Sequence, residues 1–268
     1  VGTVIDTPFG PPVPEVPLPR SPLAFVVAQV RFERVASIGS EDFIAGFQET
    51  IRGVYPVMGR EQQAGILVGP GGQIATAESG HFWRFDERPE GWQVTLAPDF
   101  LALATSRYTR RSDFLDRLTA VLAAAQKELR VRFCERIGVR YVDRVTDSAL
   151  LARLTELLRP EVLGTVATPT GDGAELVHAF SDTTYHLPDG LNLHGRWGVL
   201  PEMATFDPAI VPVQARSWVL DLDAFTREPM PFEPVAIGAK AEAACERIYR
   251  FFRWAVDDAF LVAHGGQP

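Results

Sequence analysis

The feature that most constrains this chain is a second copy of its own pattern. Val30-Arg31-Phe32-Glu33-Arg34-Val35 returns as Val139-Arg140-Tyr141-Val142-Asp143-Arg144-Val145 with one residue inserted. WQVTLAPDF at residues 92–100 is echoed by WVLDLDAF at residues 218–225. These segments alternate apolar and polar side chains, the period of a strand with one buried face. The order of elements around them repeats as well. A strand at residues 23–35 leads to a helix capped by Ser40 and stopped by Pro56, with Phe43, Phe47, Ile51 and Val54 on one face. Turn signals at Gly69-Pro70-Gly71-Gly72 and Arg88-Pro89-Glu90-Gly91 separate strands at residues 62–68, 73–77, 81–86 and 92–96, and residues 100–104 extend the sheet. Ser112 caps a helix that runs to Arg130. The second half reads as a strand at 135–145, a short helix at 148–158 and strands near 175–186, 191–198 and 216–222. A long helix at 233–262 closes it. The repeat period exceeds the roughly 20–50 residues of solenoids, which points to two fused halves.

The expected fold is α+β: two strand–helix–three strands–helix halves, an internal duplication, forming one curved and mainly antiparallel sheet. The helices pack on one face and leave the other as a groove or cavity wall. The expected organisation is a Pro-rich arm at residues 1–22, a first half at 23–133 and a second at 134–264. The arm carries Pro8, Pro11, Pro12, Pro14, Pro17, Pro19 and Pro22. Proline removes backbone donors, so the arm reads as extended, and as a flexible leader in preference to a docking element.

Composition narrows the function classes. Across 268 residues, 26 Lys+Arg face 34 Asp+Glu, a net charge of −8, which argues against a nucleic-acid partner. No apolar run suits a membrane span, which needs about 18 residues, and no secretory leader is evident. A cytoplasmic location is expected, and Cys134 and Cys245, at no metal-binding spacing, suit a reducing compartment.

Several segments together resemble a sporadically distributed family of bacterial and archaeal proteins of about this length. They are residues 22–32, Phe47-Gln48-Glu49-Thr50-Ile51-Arg52 with Tyr55-Pro56, Trp83-Arg84-Phe85, residues 94–103 and Tyr108. Arg136-Ile137-Gly138-Val139-Arg140-Tyr141-Val142, Leu220-Asp221-Leu222-Asp223-Ala224-Phe225 and Phe251-Phe252-Arg253-Trp254-Ala255 complete the set. The resemblance implies a bacterial, cytoplasmic protein with a duplicated α+β fold. It brings no activity, cofactor or catalytic residue.

The most chemical feature is the polar face of the repeated strands. Arg136, Arg140 and Arg144 share a face by period 2, as do Asp221 and Asp223. Were the two strands neighbours, Arg140 would pair with Asp221 or Asp223. That row reads as cross-strand ion pairing on a solvated face. It also reads as a site for an anionic ligand, with arginines as forked donors. A third reading is acid/base chemistry by two carboxylates about 7 Å apart. These five residues are the candidate ligand-binding set.

His178, His186 and His194 recur every eight residues. A three-residue loop at 189–191 would set His186 opposite His194, and a two-residue loop would separate them; two such ligands make no specific metal site. The aromatic residues read as core. No phosphate-binding P-loop, dinucleotide fingerprint, zinc-protease helix or serine-hydrolase elbow occurs. The favoured function is a non-catalytic binding or interaction protein for a small ligand or a partner protein, with no catalytic residue, metal or cofactor. The alternatives are an enzyme of unrecognised type using the Arg/Asp face, and an oligomerising protein that pairs through its last helix.

Overall fold

The computed structural model describes residues 5–62, 65–68, 74–77, 81–89, 91–207 and 210–268. The Gly69–Gly72 turn and Glu90 of the second turn lie outside the described residues. The elements in chain order begin with β1 (Leu23–Phe32), α1 (Glu41–Ile51), β2 (Val57–Gln62), β3 (Gly65–Val68), β4 (Ile74–Ala77) and β5 (His81–Asp86). They continue with β6 (Trp92–Ala97), β7 (Phe100–Thr105), α2 (Arg111–Leu129), β8 (Phe133–Val145), α3 (Ser148–Leu151), α4 (Leu154–Leu157) and α5 (Pro160–Leu163). The chain ends with β9 (Ala179–His186), β10 (Leu191–Leu200), β11 (Ser217–Thr226), β12 (Met230–Pro231), α6 (Pro234–Ala255) and α7 (Asp258–Ala263).

The protein is α+β. Among the described residues, ten strands form an open antiparallel sheet ordered β2-β5-β6-β7-β1-β8-β11-β10-β9, with β12 beside β8; β3 and β4 pair separately. The order β1-β7-β6-β5 and the order β8-β11-β10-β9 match element for element. The chain divides into two compact units. One comprises Val1–Phe25, Arg140–Phe225 and Ala243–Pro268; the other comprises Val26–Val139 and Thr226–Glu242.

In the unit built on Val26–Val139, alternation along β1 buries Val26, Ala28, Val30 and Phe32. Helices cover that face, with Phe47 of α1 edge-on to Phe85 at 5.6 Å and Phe114 of α2 against Trp92 at 6.0 Å. Such side chains each contribute roughly 1.5–3 kcal/mol on burial. The apolar stripe of α1 differs from the sequence expectation. Ile44, Phe47 and Ile51 point inward, while Phe43 is exposed and Val54 lies beyond the helix end and is exposed. At the start of β8, the Glu33 carboxylate accepts the backbone N–H groups of Arg132 and Phe133 at 2.7 and 3.0 Å.

In the unit built on Arg140–Phe225, α6 and α7 cover one sheet face. Phe251 meets Trp197 at 5.6 Å, Phe260 meets Trp218 at 6.1 Å, and the Tyr141 hydroxyl lies 3.5 Å from Cys245 Sγ. The single helix expected at 233–262 is two. Val256 leaves the helix to bridge Leu158, the Asp257 N–H donates to the Leu157 carbonyl, and Asp257 takes an extended conformation ahead of α7. The helix expected at 148–158 is likewise short turns. Asp147 caps α3 by accepting from Ala149 and Leu150, and Pro160 opens α5.

The Pro-rich arm, described from Ile5, is not a free leader. Side-chain donors take its backbone carbonyls: Arg159 bonds Ile5, Arg250 bonds Gly10 at 2.9 Å, and the Tyr249 hydroxyl bonds Pro14 at 3.1 Å. Val16 N–H donates to the Tyr249 oxygen at 2.8 Å, and Phe9 packs edge-on to Tyr185 at 5.1 Å. An extended proline-rich segment has no internal hydrogen bonds, so its carbonyls are available to such donors.

The second sheet face of this unit is also covered, where an open groove was expected. From the loop between β10 and β11, Ala204, Phe206 and Ile210 pack over Val142, Leu200 and Val219, with Phe25 and Phe180 at the margin. Among the described residues no helix is long and apolar enough to cross a membrane.

Candidate functional site

Strand parity places the site. Arg140 on β8, Arg196 on β10 and Asp221 on β11 occupy adjacent strands and meet on the face that Ala204, Phe206 and Ile210 cover. Asp221 is the hub, with its side chain only 1% exposed. Its Oδ1 accepts Arg140 Nε at 2.7 Å and its Oδ2 accepts Arg140 Nη2 at 2.9 Å, a forked pairing. The same Oδ2 accepts Arg196 Nε at 3.0 Å and Arg196 Nη2 at 2.6 Å. Both guanidinium planes are thereby fixed by one buried carboxylate.

The fourth member comes from the loop. Asp207 Oδ2 sits between the two arginines, accepting Arg140 Nη2 and Arg196 Nη2 at 2.9 Å each. Its neighbour Phe206 lies 4.7 Å under the Arg196 guanidinium and 4.4 Å from Phe180. Two arginines and two aspartates cancel in formal charge. Burial works against the Arg140 charge, but the hydrogen bonds and charges of Asp221 and Asp207 outweigh it and hold its pKa above the usual arginine value. Such a network contributes little net stability against an apolar replacement, yet is costly to break on one side only.

The sequence-derived candidates divide. Arg140 and Asp221 form the expected contact. Arg144 lies on the same face and donates from Nη1 to the Val211 carbonyl at 2.6 Å, while its Nε and Nη2 are buried without a hydrogen-bond partner. Burial lowers the Arg144 pKa. Asp223 is half-buried on the Asp221 side of β11. Arg136 belongs to the other unit, where its guanidinium lies 2.8 Å from the point a side chain on Gly138 would occupy. Arg196 and Asp207 escaped sequence reasoning. The alternation of β10 does put Arg196 in phase with His194, a signal that could have found it, whereas Asp207 sits in a loop with no periodicity.

The histidines do not converge. β9 and β10 pair His186 with Asn192 and His194 with Thr184, so His186 and His194 are not opposite. His186 Nδ1 contacts Asn192 Oδ1, and His194 Nε2 lies 2.7 Å from an Asp182 oxygen. Among the described residues no group of three or more His, Cys, Asp or Glu is placed to hold a metal ion.

On the helix-covered face of β8, burial alone pushes the Asp143 carboxyl up to about 7. In the other unit, burial raises the Cys134 thiol to about 11, far from the nucleophilic range. No protein-family model matches this chain, and a search of curated proteins returns no match.

Proposed function

We propose that this chain is a non-catalytic binding protein and that its site is the Arg140–Arg196 pair, which takes an anionic group. The observation that carries this reading is the position of Asp207 Oδ2, held by two guanidinium nitrogens at 2.9 Å each. A single oxygen between two forked donors is how arginines take a carboxylate or phosphoryl oxygen. The arrangement favours binding over acid/base chemistry, because both Asp221 oxygens already accept guanidinium bonds and the side chain is shut from water. A general base needs a free lone pair within reach of a substrate proton.

The same proposal includes a bacterial cytoplasmic setting, which two buried free thiols suit, membership of the family named above, and descent of the two halves from one duplicated unit. The test is native purification of the full chain with mass spectrometry of co-purifying acids, run beside Arg196→Gln. An acid retained by wild type and absent from the variant supports the reading. An acid retained equally by both removes the arginine pair from it.

A further inference from the structure

We infer that Phe206-Asp207 is an internal stand-in for the ligand, and that the site takes a carboxylic acid carrying an aryl group. This rests on the binding reading above and names its ligand class. Asp221 and Asp207 are both carboxylates on the same arginines, but they are held in different ways. Asp221 belongs to a central strand, is shut from water and satisfies four guanidinium hydrogen bonds. Asp207 belongs to a loop, its Oδ2 accepts from both arginines, and its side chain is 19% exposed. Water therefore already reaches the position that Asp207 occupies, and removing it leaves Asp221 still orienting both forks.

The loop is held both by its own hydrogen bonds and by the sheet, where Arg144 Nη1 donates to the Val211 carbonyl at 2.6 Å. Met203 N–H donates to the Val213 carbonyl at 2.8 Å and closes its base, with Met203 in the left-handed region at φ 57°. The Thr205 hydroxyl braces the tip, lying 2.8 Å from the Asp207 carbonyl and 2.9 Å from that of Ile210, and the Asp207 N–H donates back to it at 3.3 Å. Ile210 is buried and anchors one side. Phe206 and Asp207 are the residues that reach onto the arginines and Phe180, and both are half-buried.

Withdrawing that pair would uncover two guanidinium groups with a net local charge of +1 beside Phe180, Leu200 and Val219. The complement of such a surface is one anionic oxygen next to a flat apolar ring, as Phe206-Asp207 itself presents. Stacking on Arg196 and Phe180 supplies the ring's share of recognition, and the Nη2 pair supplies the carboxylate's. Phosphate or acetate alone would meet the charge and leave the apolar surface wet.

The experiment is calorimetric titration of full-length protein with 3-phenylpropionate and, separately, with acetate, for wild type, Asp207→Ala, Asp207→Asn and Arg196→Gln. Asp207→Asn keeps the volume of the side chain, so a folding failure of the alanine variant leaves the question decidable. The expected result is 3-phenylpropionate binding about tenfold tighter to either Asp207 variant than to wild type, and more tightly than acetate, with loss in Arg196→Gln. Equal affinity in wild type and the Asp207 variants, still lost in Arg196→Gln, overturns the stand-in and leaves the anion site standing. Acetate binding as tightly as 3-phenylpropionate overturns the aryl assignment. Binding of neither acid to any protein overturns the arginine-pair reading itself.

Discussion

Arg140→Ala and Arg196→Ala, singly and together, measure what the network does for stability. Removing Arg140 takes a forked pairing of 2.7 and 2.9 Å from Asp221 but leaves it the Arg196 bonds at 3.0 and 2.6 Å. The buried carboxylate stays neutralised, so the loss is that of a charge-assisted hydrogen-bonded pair, about 1.5–2 kcal/mol. The same holds for Arg196→Ala. The double variant is different in kind, because Asp221, 1% exposed, then has neither arginine. An unpaired buried charge costs about 3–5 kcal/mol, on top of the lost packing of two long side chains. Each single variant already loses its own side-chain packing, so the double cost should exceed the sum of the singles by up to about 2 kcal/mol, a coupling expected of residues sharing one partner. Adding Asp221→Asn to the double variant should return much of that excess. Urea unfolding followed by tryptophan fluorescence at pH 7, with a common slope, reads all four differences. A double variant that costs no more than the sum, or an Asp221→Asn addition that recovers nothing, refutes the account of Asp221 as a carboxylate that needs one arginine and is shared by two.

Three further outcomes follow from other parts of the structure. Phe251 is fully buried, with ring centroids of Trp254 at 5.2 Å and Trp197 at 5.6 Å, so Phe251→Ala should cost about 3–5 kcal/mol; an unshifted melting profile would place the α6 core face elsewhere. Gly198 has φ 155° and a side chain there would meet the Ala179 carbonyl oxygen at 1.9 Å, so Gly198→Ala should destabilise by about 3 kcal/mol, and exchange protection across β9 and β10 should fall with it. Asp143 keeps its proton up to about pH 7 when folded and loses it near 3.9 when unfolded. Its contribution to stability is thus full below about pH 4 and is lost as pH climbs to about 7. Asp143→Asn, neutral throughout, should gain on wild type progressively between those limits in urea midpoints, and a gap that does not widen with pH would refute the buried-carboxyl assignment.

The parts legible in the sequence are those that alternation decides. Parity along β8 and β11 put Arg140 and Asp221 on polar sides of their strands, and it gave the buried set Val26, Ala28, Val30 and Phe32 on β1. Parity is local, however, and adjacency is not. Nothing within residues 191–200 states that β10 lies beside β11, so Arg196 carried no visible link to Asp221 before the strand order was known. The break between α6 and α7 was hidden for a related reason. Apolar spacing continues past Ala255, and the departure of Val256 is made good by a bridge to Leu158, nearly a hundred residues earlier in the chain. The arm misled because prolines predict a chain that lacks its own hydrogen bonds, and say nothing about arginines and a tyrosine elsewhere that supply them.

Asp207 is the harder lesson, since it lies in a loop where neither period nor propensity applies, and yet it decides how the site is read. A strand residue such as Asp221 cannot leave without undoing β11, so its four guanidinium bonds serve to hold two forks in fixed planes. A loop residue can leave at the cost of the loop's own contacts with the sheet. One arrangement therefore combines a permanent carboxylate that orients the arginines with a replaceable one that fills them. Had both aspartates come from strands, the cluster would be closed for structural reasons alone and no ligand could compete. Had neither been present, two guanidinium groups side by side would repel in a partly dry site and lose their common orientation. The separation of those two roles between β11 and the loop is the physical basis for reading the cluster as a binding site, and substitution at Asp207, not at Asp221, is where that reading is open to refutation.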